Sequence, residues 1–473
     1  GPTPLHQSVE HELLHAVQAL RAAGADVTIR SPEEECAALD IAAGLGHLNI
    51  IRELTERGAA IHATDSRDQT ALHRAAFTKQ ASVVDVLVLE AEAHVDAEDR
   101  GGRTPLHGAA EKGPVDALLA LLKHDASMVL DKKRLSPLHL AAKRGHVSSS
   151  RALLDSGVEV SLRNIIGQCS ALDLAAIAGH TEVLKTIIAH VADVNASDSA
   201  GRTALHRAAC FDRSASINTL VRAGANPEAR DLRLGWTPLH DAAAGGCSNA
   251  IVALLSHGVE KDVLDIDGRS PLHLAAEEGH LPLLVAGANV NFRGGPGDTE
   301  WSALDLAAVR GHLDIIATVV RHGVDVNARN SRGCTSLHHA ACANKPGAIG
   351  SLADAGADVG AVDTTGWSPL HDAASEGASD AVAALLRRGA NGNLLDNKGR
   401  SALHLAAQYG HTQVTELLLA AGTDVTLRFG KSENTPLDSA VVEGHLSIVR
   451  AIIRRGADVN AADSVGRTAL YRA

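Results

Sequence analysis

The chain has 473 residues and a formal net charge of −12, and 45% of its residues are apolar while only 2% are aromatic. That length suggests roughly three domains of ordinary size, but so few rings point to thin layers of small aliphatic side chains rather than deep cores. No run of about 18 apolar residues is present to span a membrane, and an acidic chain with scattered cations is a poor match for a phosphate backbone.

The first stretch, Thr3-Pro4-Leu5-His6, opens a series. It is followed by Ala37-Ala38-Leu39-Asp40, Thr70-Ala71-Leu72-His73, Thr104-Pro105-Leu106-His107 and Ser136-Pro137-Leu138-His139. Further copies start at Ser170, Thr203, Thr237, Ser270, Ser302, Thr335, Ser368, Ser401, Thr435 and Thr468, at intervals of 32 to 34 residues. The copy at Ser401 shows the physical reading most clearly. Ser401 is a helix N-cap hydroxyl able to accept from an orphan N–H. Pro, present at the next position in other copies, suits the first helical turn. Leu403, Ala406 and Ala407 make a narrow apolar stripe that lets helices approach closely. Gly410-His411 breaks the helix, a second apolar helix runs to Ala421, and Gly422 stands where a C-terminal glycine belongs. One such unit cannot bury its own apolar faces, so it must stack on copies of itself.

This period and this tetrapeptide resemble the ankyrin-repeat family over almost the whole chain, with fourteen full copies and a truncated last one. The resemblance implies an all-α repeat solenoid of stacked helix-turn-helix units with β-turn fingers, a single curved superhelix over 1–473. It also implies that His6, His73, His107, His139, His206, His240, His273, His338, His371 and His404 bond the backbone of their own turn and of the next unit. None of them is expected to be catalytic.

Departures from the pattern follow in chain order. His11-Glu12-Leu13-Leu14-His15 matches the zinc-protease pattern H-E-x-x-H, which requires both imidazoles on one continuous helix. Aligning His6 with His404 puts Glu12 in the break between two helices, so an N-terminal cap with surface histidines is expected. The second repeat lacks a capping hydroxyl at Ala37 and carries Asp40 in place of His. The same Leu-Asp recurs at Asp173, Asp305 and Asp438, in copies starting at 37, 170, 302 and 435, which are 133, 132 and 133 residues apart. The fingers before these copies carry Ile29-Arg30, Leu162-Arg163, Phe292-Arg293 and Leu427-Arg428. Duplication of a four-repeat block is the inference. A carboxylate at this position suits the positive end of a helix but removes a donor to the neighbouring repeat. In the ninth repeat eight residues separate Gly279 from Gly287, against twelve from Gly410 to Gly422, so about one turn of the second helix is missing. A change of curvature or a hinge is expected at 280–300.

Cys36, Cys169, Cys210, Cys247, Cys334 and Cys342 show no metal-ligand spacing and read as reduced thiols of an intracellular protein, cytoplasmic before nuclear. Gly1-Pro2 reads as a protease scar, and the chain ends five residues into its last copy, so a piece of a longer protein is expected.

No nucleophile–base or paired-carboxylate constellation stands apart from the repeats, and no catalytic residue, metal or cofactor is expected. The resemblance implies binding in a concave groove lined by finger tips and the ends of the first helices. Trp236, Trp301 and Trp367 share one tip position, and Phe77, Phe211 and Tyr409 occupy first-helix positions. Exposed aromatics are common interface anchors, and Arg233, Arg269, Arg332 and Arg400 would add charged contacts. The expected activity is that of a monomeric protein-interaction scaffold for a protein or extended peptide. The competing reading is the recognition region of a larger enzyme, channel or ubiquitin-ligase assembly. Asn195, Asn327 and Asn460, each in Asp-Val-Asn-Ala, resemble positions an asparaginyl hydroxylase can modify, with turn stabilisation as the plainer role.

Overall fold

A computed structural model describes residues 3–31, 36–56, 58–190, 192–285, 287–295, 300–431 and 433–472. Each repeat gives an inner helix and an outer helix; Ala402–Tyr409 and Thr412–Ala420 are a representative pair. The inner helix starts where Pro, Ala or, at 336, Ser follows an extended cap residue. It stops at a left-handed residue such as Gly410 (φ 80°). Within each of two compact units, successive inner helices pack on one another and successive outer helices do the same. One unit comprises Gly1–Arg233 with Ser256–Gly258, the other Leu234–Leu255 with Val259–Ala473.

The core of both units is a ladder of small side chains. Leu403, Ala406 and Ala407 are fully buried, and Leu138, Ala141 and Ala142 repeat the arrangement in the first unit. Each buried Leu contributes about 1.5–3 kcal/mol of transfer free energy. The alanines contribute closeness of approach instead.

The expected capping scheme is corrected at Ser401. Its hydroxyl lies 2.9 Å from His404 Nδ1 rather than on an orphan N–H, and the Ser401 N–H donates to the same ring nitrogen at 3.1 Å. The histidine side chain reaches back to the cap and outcompetes the helix amides for the hydroxyl. This is a capping box with imidazole in the usual Glu position. Only at some copies, among them Ser136 and Ser170, does the hydroxyl also lie within 3.4 Å of the third amide.

Two outer helices depart from the norm. Ala81–Asp85 continues as a π-helical turn, Val86–Glu90, and ends at left-handed Glu92 (φ 55°), one residue later than the pattern requires. The extra residue is absorbed as a π-bulge. The ninth repeat keeps only Pro282–Val285, which still buries Leu283 and Leu284. Its finger pairs Arg293–Gly294 with Trp301–Ser302 in antiparallel register. The hinge expected at 280–300 falls partly outside the described residues, which omit 286 and 296–299.

Candidate protein-interaction face

The tips of the fingers are held by the tetrapeptide histidines. His371 Nε2 lies 3.1 Å from Arg400 O of the next finger, while its Nδ1 accepts the Ser368 N–H at 3.1 Å. An Nδ1 that accepts assigns the neutral, Nε2–H tautomer, which then donates to the carbonyl. Burial holds His73, His107, His139, His273 and His371 below their ordinary pKa, and lowers His338 and His404 to about 4. They are structural bases.

A second row of histidines escaped the sequence reading. His146, His312, His411 and His445 each place Nε2 within 2.8–3.1 Å of a carbonyl near the end of the previous inner helix. Their rings lie under the previous repeat's left-handed glycine. A Cβ on Gly410 would stand 2.7 Å from His445 Cε1. The recurring Gly-His dipeptide was the available signal.

The Leu-Asp repeats replace the His bonds with a different set. Asp173 Oδ2 accepts from Ser170 N and Oγ at 2.8 and 2.9 Å and from Arg163 Nη1 at 2.8 Å. Asp305 repeats this with Ser302 and Arg293, and its other oxygen accepts from Ser336 Oγ of the next repeat. At Asp305 the expected loss of a donor is thus offset by a bond running the opposite way. In the last block Arg428 instead donates to Ala462 O at 2.8 Å.

In the second unit the tip residues form a repeated arrangement. Trp236 Nε1 donates to Asp265 Oδ2 of the next finger at 3.1 Å, and Arg269 Nε donates to the same oxygen at 3.0 Å. Trp367, Asp396 and Arg400 reproduce it at 3.0 and 2.9 Å, with the guanidinium 5.5 Å from the indole centroid. Trp301 stacks on His339 at 4.4 Å and borders a cavity of about 180 Å³ with Arg269, His273 and Glu277. All three tryptophans are half-buried, and Tyr409 is exposed. Arg332 is exposed and uses its backbone N–H on Asn330 Oδ1 at 3.0 Å. The guanidiniums of Arg269 and Arg400 are therefore committed to aspartates, while part of each indole face stays open.

In the first unit Phe77 and Phe211 are exposed on the inner helices, and Arg233 is exposed at a tip. Phe77 fits only because residue 108 is Gly, where a Cβ would stand 2.8 Å from its ring; Lys112 lies 5.7 Å over that ring. Asn195 and Asn327 span repeats, donating to Gly224 O and Gly356 O and accepting the Asn226 and Asp358 N–H groups.

Asp372, like Asp241, puts a carboxylate where two other repeats carry arginine. Arg74 and Arg207 occupy the same position and pair with finger aspartates Asp65 and Asp198 at 3.0 and 2.6 Å. Asp372 instead faces Asp363, and burial first, then Asp363 and Glu376, push it up to about 8. Nearby Cys334 is pushed up to about 12, chiefly by burial, so it is no nucleophile. His11 caps the first helix and His15 lies in Leu14–Ala22, so H-E-x-x-H spans two helices. Glu12 is left-handed (φ 55°), as Gly410 is. Among the described residues no group of three His, Cys, Asp or Glu side chains is placed to hold a metal, and no helix is long and apolar enough to cross a membrane.

Family models described as ankyrin repeats match residues 5–99, 72–164, 218–293, 281–363, 337–429 and 370–463, and a related one matches 172–221. The chain belongs to the ankyrin-repeat family. Its relatives include the B-cell lymphoma 3 protein homolog of Mus musculus, 36% identical over 188 residues, covering 38% of this chain and 41% of that protein. Transient receptor potential cation channel subfamily A member 1 of Homo sapiens is 28% identical over 426 residues, covering 72% of this chain and 38% of the channel. E3 ubiquitin-protein ligase KEG of Arabidopsis thaliana is 26% identical over 392 residues, covering 74% of this chain and 24% of the ligase. The matches thus span less than half of each relative. Ankyrin repeats generally mediate protein interaction, and such domains are typically non-catalytic.

Proposed function

We propose that this ankyrin-repeat chain is a monomeric protein-interaction scaffold with no chemistry of its own. It takes a protein or extended peptide, and not nucleic acid, in the groove between finger tips and inner-helix ends. The observation that carries this reading is the row Trp236, Trp301 and Trp367: the first and last are held through their N–H groups and neighbouring arginines, Trp301 by stacking on His339, while the rings stay partly open. Rigid amphipathic rings bind with little ordering cost. Exposed Tyr409 extends the same face, and Phe77, Phe211 and Arg233 offer a comparable set in the first unit. Six free thiols support a reducing, cytoplasmic setting.

A second reading, supported by the channel and ligase relatives, makes the same face the recognition region of a larger assembly. Both readings meet one test. Affinity capture from lysate compares the native chain with a Trp236→Ala/Trp301→Ala/Trp367→Ala variant of matched helicity. Loss of specific partners with the variant supports the tryptophan face; identical partner sets overturn it. A captured catalytic or channel subunit would favour the second reading.

A further inference from the structure

We propose that the fingertip ridge formed by Lys132, Lys133, Arg134, Ile165 and Ile166 is a docking surface for an acidic polypeptide segment with bulky apolar side chains between its carboxylates. The ridge lies in the first unit and is distinct from the tryptophan face.

Backbone bonds fix the tips side by side. The Lys132 N–H donates to Gly101 O at 2.9 Å, and the Ile165 N–H donates to Lys133 O at 3.2 Å. The basic tip and the apolar tip are therefore adjacent and rigidly registered. Asp131, the carboxylate nearest in sequence, is buried. It is occupied by the Lys133 and Leu135 N–H groups at 2.8 Å and by Arg103 at 3.3 Å. It does not reach outward to the tip cations. Among the described residues no carboxylate pairs with Lys132, Lys133 or Arg134; the Lys132 ammonium donates to Arg100 O at 2.8 Å. Lys143, exposed on the inner helix of the same repeat, adds to the charge. A concentrated positive surface on a chain of net charge −12 is a local feature.

The fold does not need Ile165 and Ile166. Several fingers place polar or small residues at both positions, such as Ser199-Ala200 and Asn397-Lys398, and others carry a single apolar residue, such as Leu232 or Ile266; turns favour the polar kind. The two isoleucines are 59% and 63% exposed. An apolar pair held beside three cations without a carboxylate partner among the described residues complements a segment that presents carboxylates and aliphatic or aromatic groups together. Nucleic acid would satisfy the cations, but isoleucine offers its bases no ring to stack on.

The test is fluorescence anisotropy with a labelled peptide of Glu-Leu-Glu repeats. A Gln-Leu-Gln peptide and a labelled single-stranded oligonucleotide serve as comparators. The expected result is binding of the Glu-Leu-Glu peptide alone, weakening as salt screens the charges. Lys132→Glu/Lys133→Glu/Arg134→Glu should lower its affinity about tenfold or more. Ile165→Ser/Ile166→Ser should lower it severalfold. All five side chains are exposed, so both variants should fold, checked by circular dichroism. Peptide affinity unchanged in both variants would overturn the proposal. So would an oligonucleotide that binds as tightly and is indifferent to the isoleucine change. The triple tryptophan variant should retain peptide binding, so failure here is separable from failure of the tryptophan face.

Discussion

Arg163 Nη1 donates at once to Asp173 Oδ2 at 2.8 Å and to Gln168 O at 2.7 Å. One guanidinium thus ties both sides of a finger to the start of the helix it precedes. Asp173 is almost wholly buried and carries a pKa raised chiefly by that burial, against the lowering effects of Ser170 and Arg163. Arg163→Ala should leave the carboxylate without its cation and destabilise the first unit by about 3 kcal/mol. Adding Asp173→Asn to that variant should recover part of the loss. Repeat arrays need not unfold in two states, so amide hydrogen exchange in the repeats around 136–200 is the measurement. Equal protection in Arg163→Ala and the native chain would contradict this account.

Asp372 should make the second unit less stable as pH rises. Its folded-state pKa of about 8 lies above the ordinary 3.8, so the folded chain holds a proton that the unfolded chain has released. The resulting stability is complete below the ordinary value and is lost as pH climbs through about 8. Asp372→Asn should therefore be more stable than the native chain at alkaline pH, by up to about 5 kcal/mol, with the advantage vanishing toward the acid end. Thermal melts across that range decide it. A constant difference would mean that Asp372 is not the titrating group.

Much of this molecule is legible in one dimension because each repeat obeys the same local rules. Ser401, Leu403, Gly410 and Gly422 announce cap, core and stops, and the structure places them so. Contacts between repeats are harder to read. Arg163 and Asp173 were each visible as members of a four-repeat period, yet nothing in spacing alone says that they touch. The tip position of the tryptophans could be counted from the register. That Trp367 shares Asp396 with Arg400 depends on a neighbour 29 residues away. Arg269 and Arg400 pair with aspartates only four residues before them, inside their own fingers, a local contact that the repeat register does not single out.

Trp367 should contribute to stability by two separable routes. Trp367→Phe keeps a ring but removes the N–H donor to Asp396, and should cost about 1 kcal/mol. Trp367→Ala also removes the surface beneath Arg400 and should cost roughly 3 kcal/mol. Urea-induced loss of helicity would rank the variants. Equal effects would show that the hydrogen bond, not the ring, carries the contribution.

The two glycines of the Ser401 repeat should differ sharply on substitution. Gly410 and Gly422 both have φ of 80°, but a Cβ on Gly422 meets nothing within 4 Å, whereas one on Gly410 meets His445 at 2.7 Å. Gly422→Ala should cost only the left-handed strain, about 1–2 kcal/mol. Gly410→Ala should cost more, because His445 must leave its bond to Gln408 O. Pairing Gly410→Ala with His445→Ala should remove the excess, measurable as a coupling in denaturant titrations.

Acid should weaken the stack through its structural histidines. His338 and His404 have folded pKa values of about 4, below the ordinary 6.5. Between these values the unfolded chain binds protons that the folded chain refuses, so stability falls as pH drops through the window. Each full shift corresponds to ~3 kcal/mol at its acid end. The cause is geometric: protonating Nδ1 of His404 would turn the Ser401 N–H and its acceptor into two opposed donors. His404→Gln can still donate to the next finger without titrating, so its melting temperature should fall less steeply between neutral and acid pH than that of the native chain. An unaltered pH slope would assign the acid sensitivity to other groups.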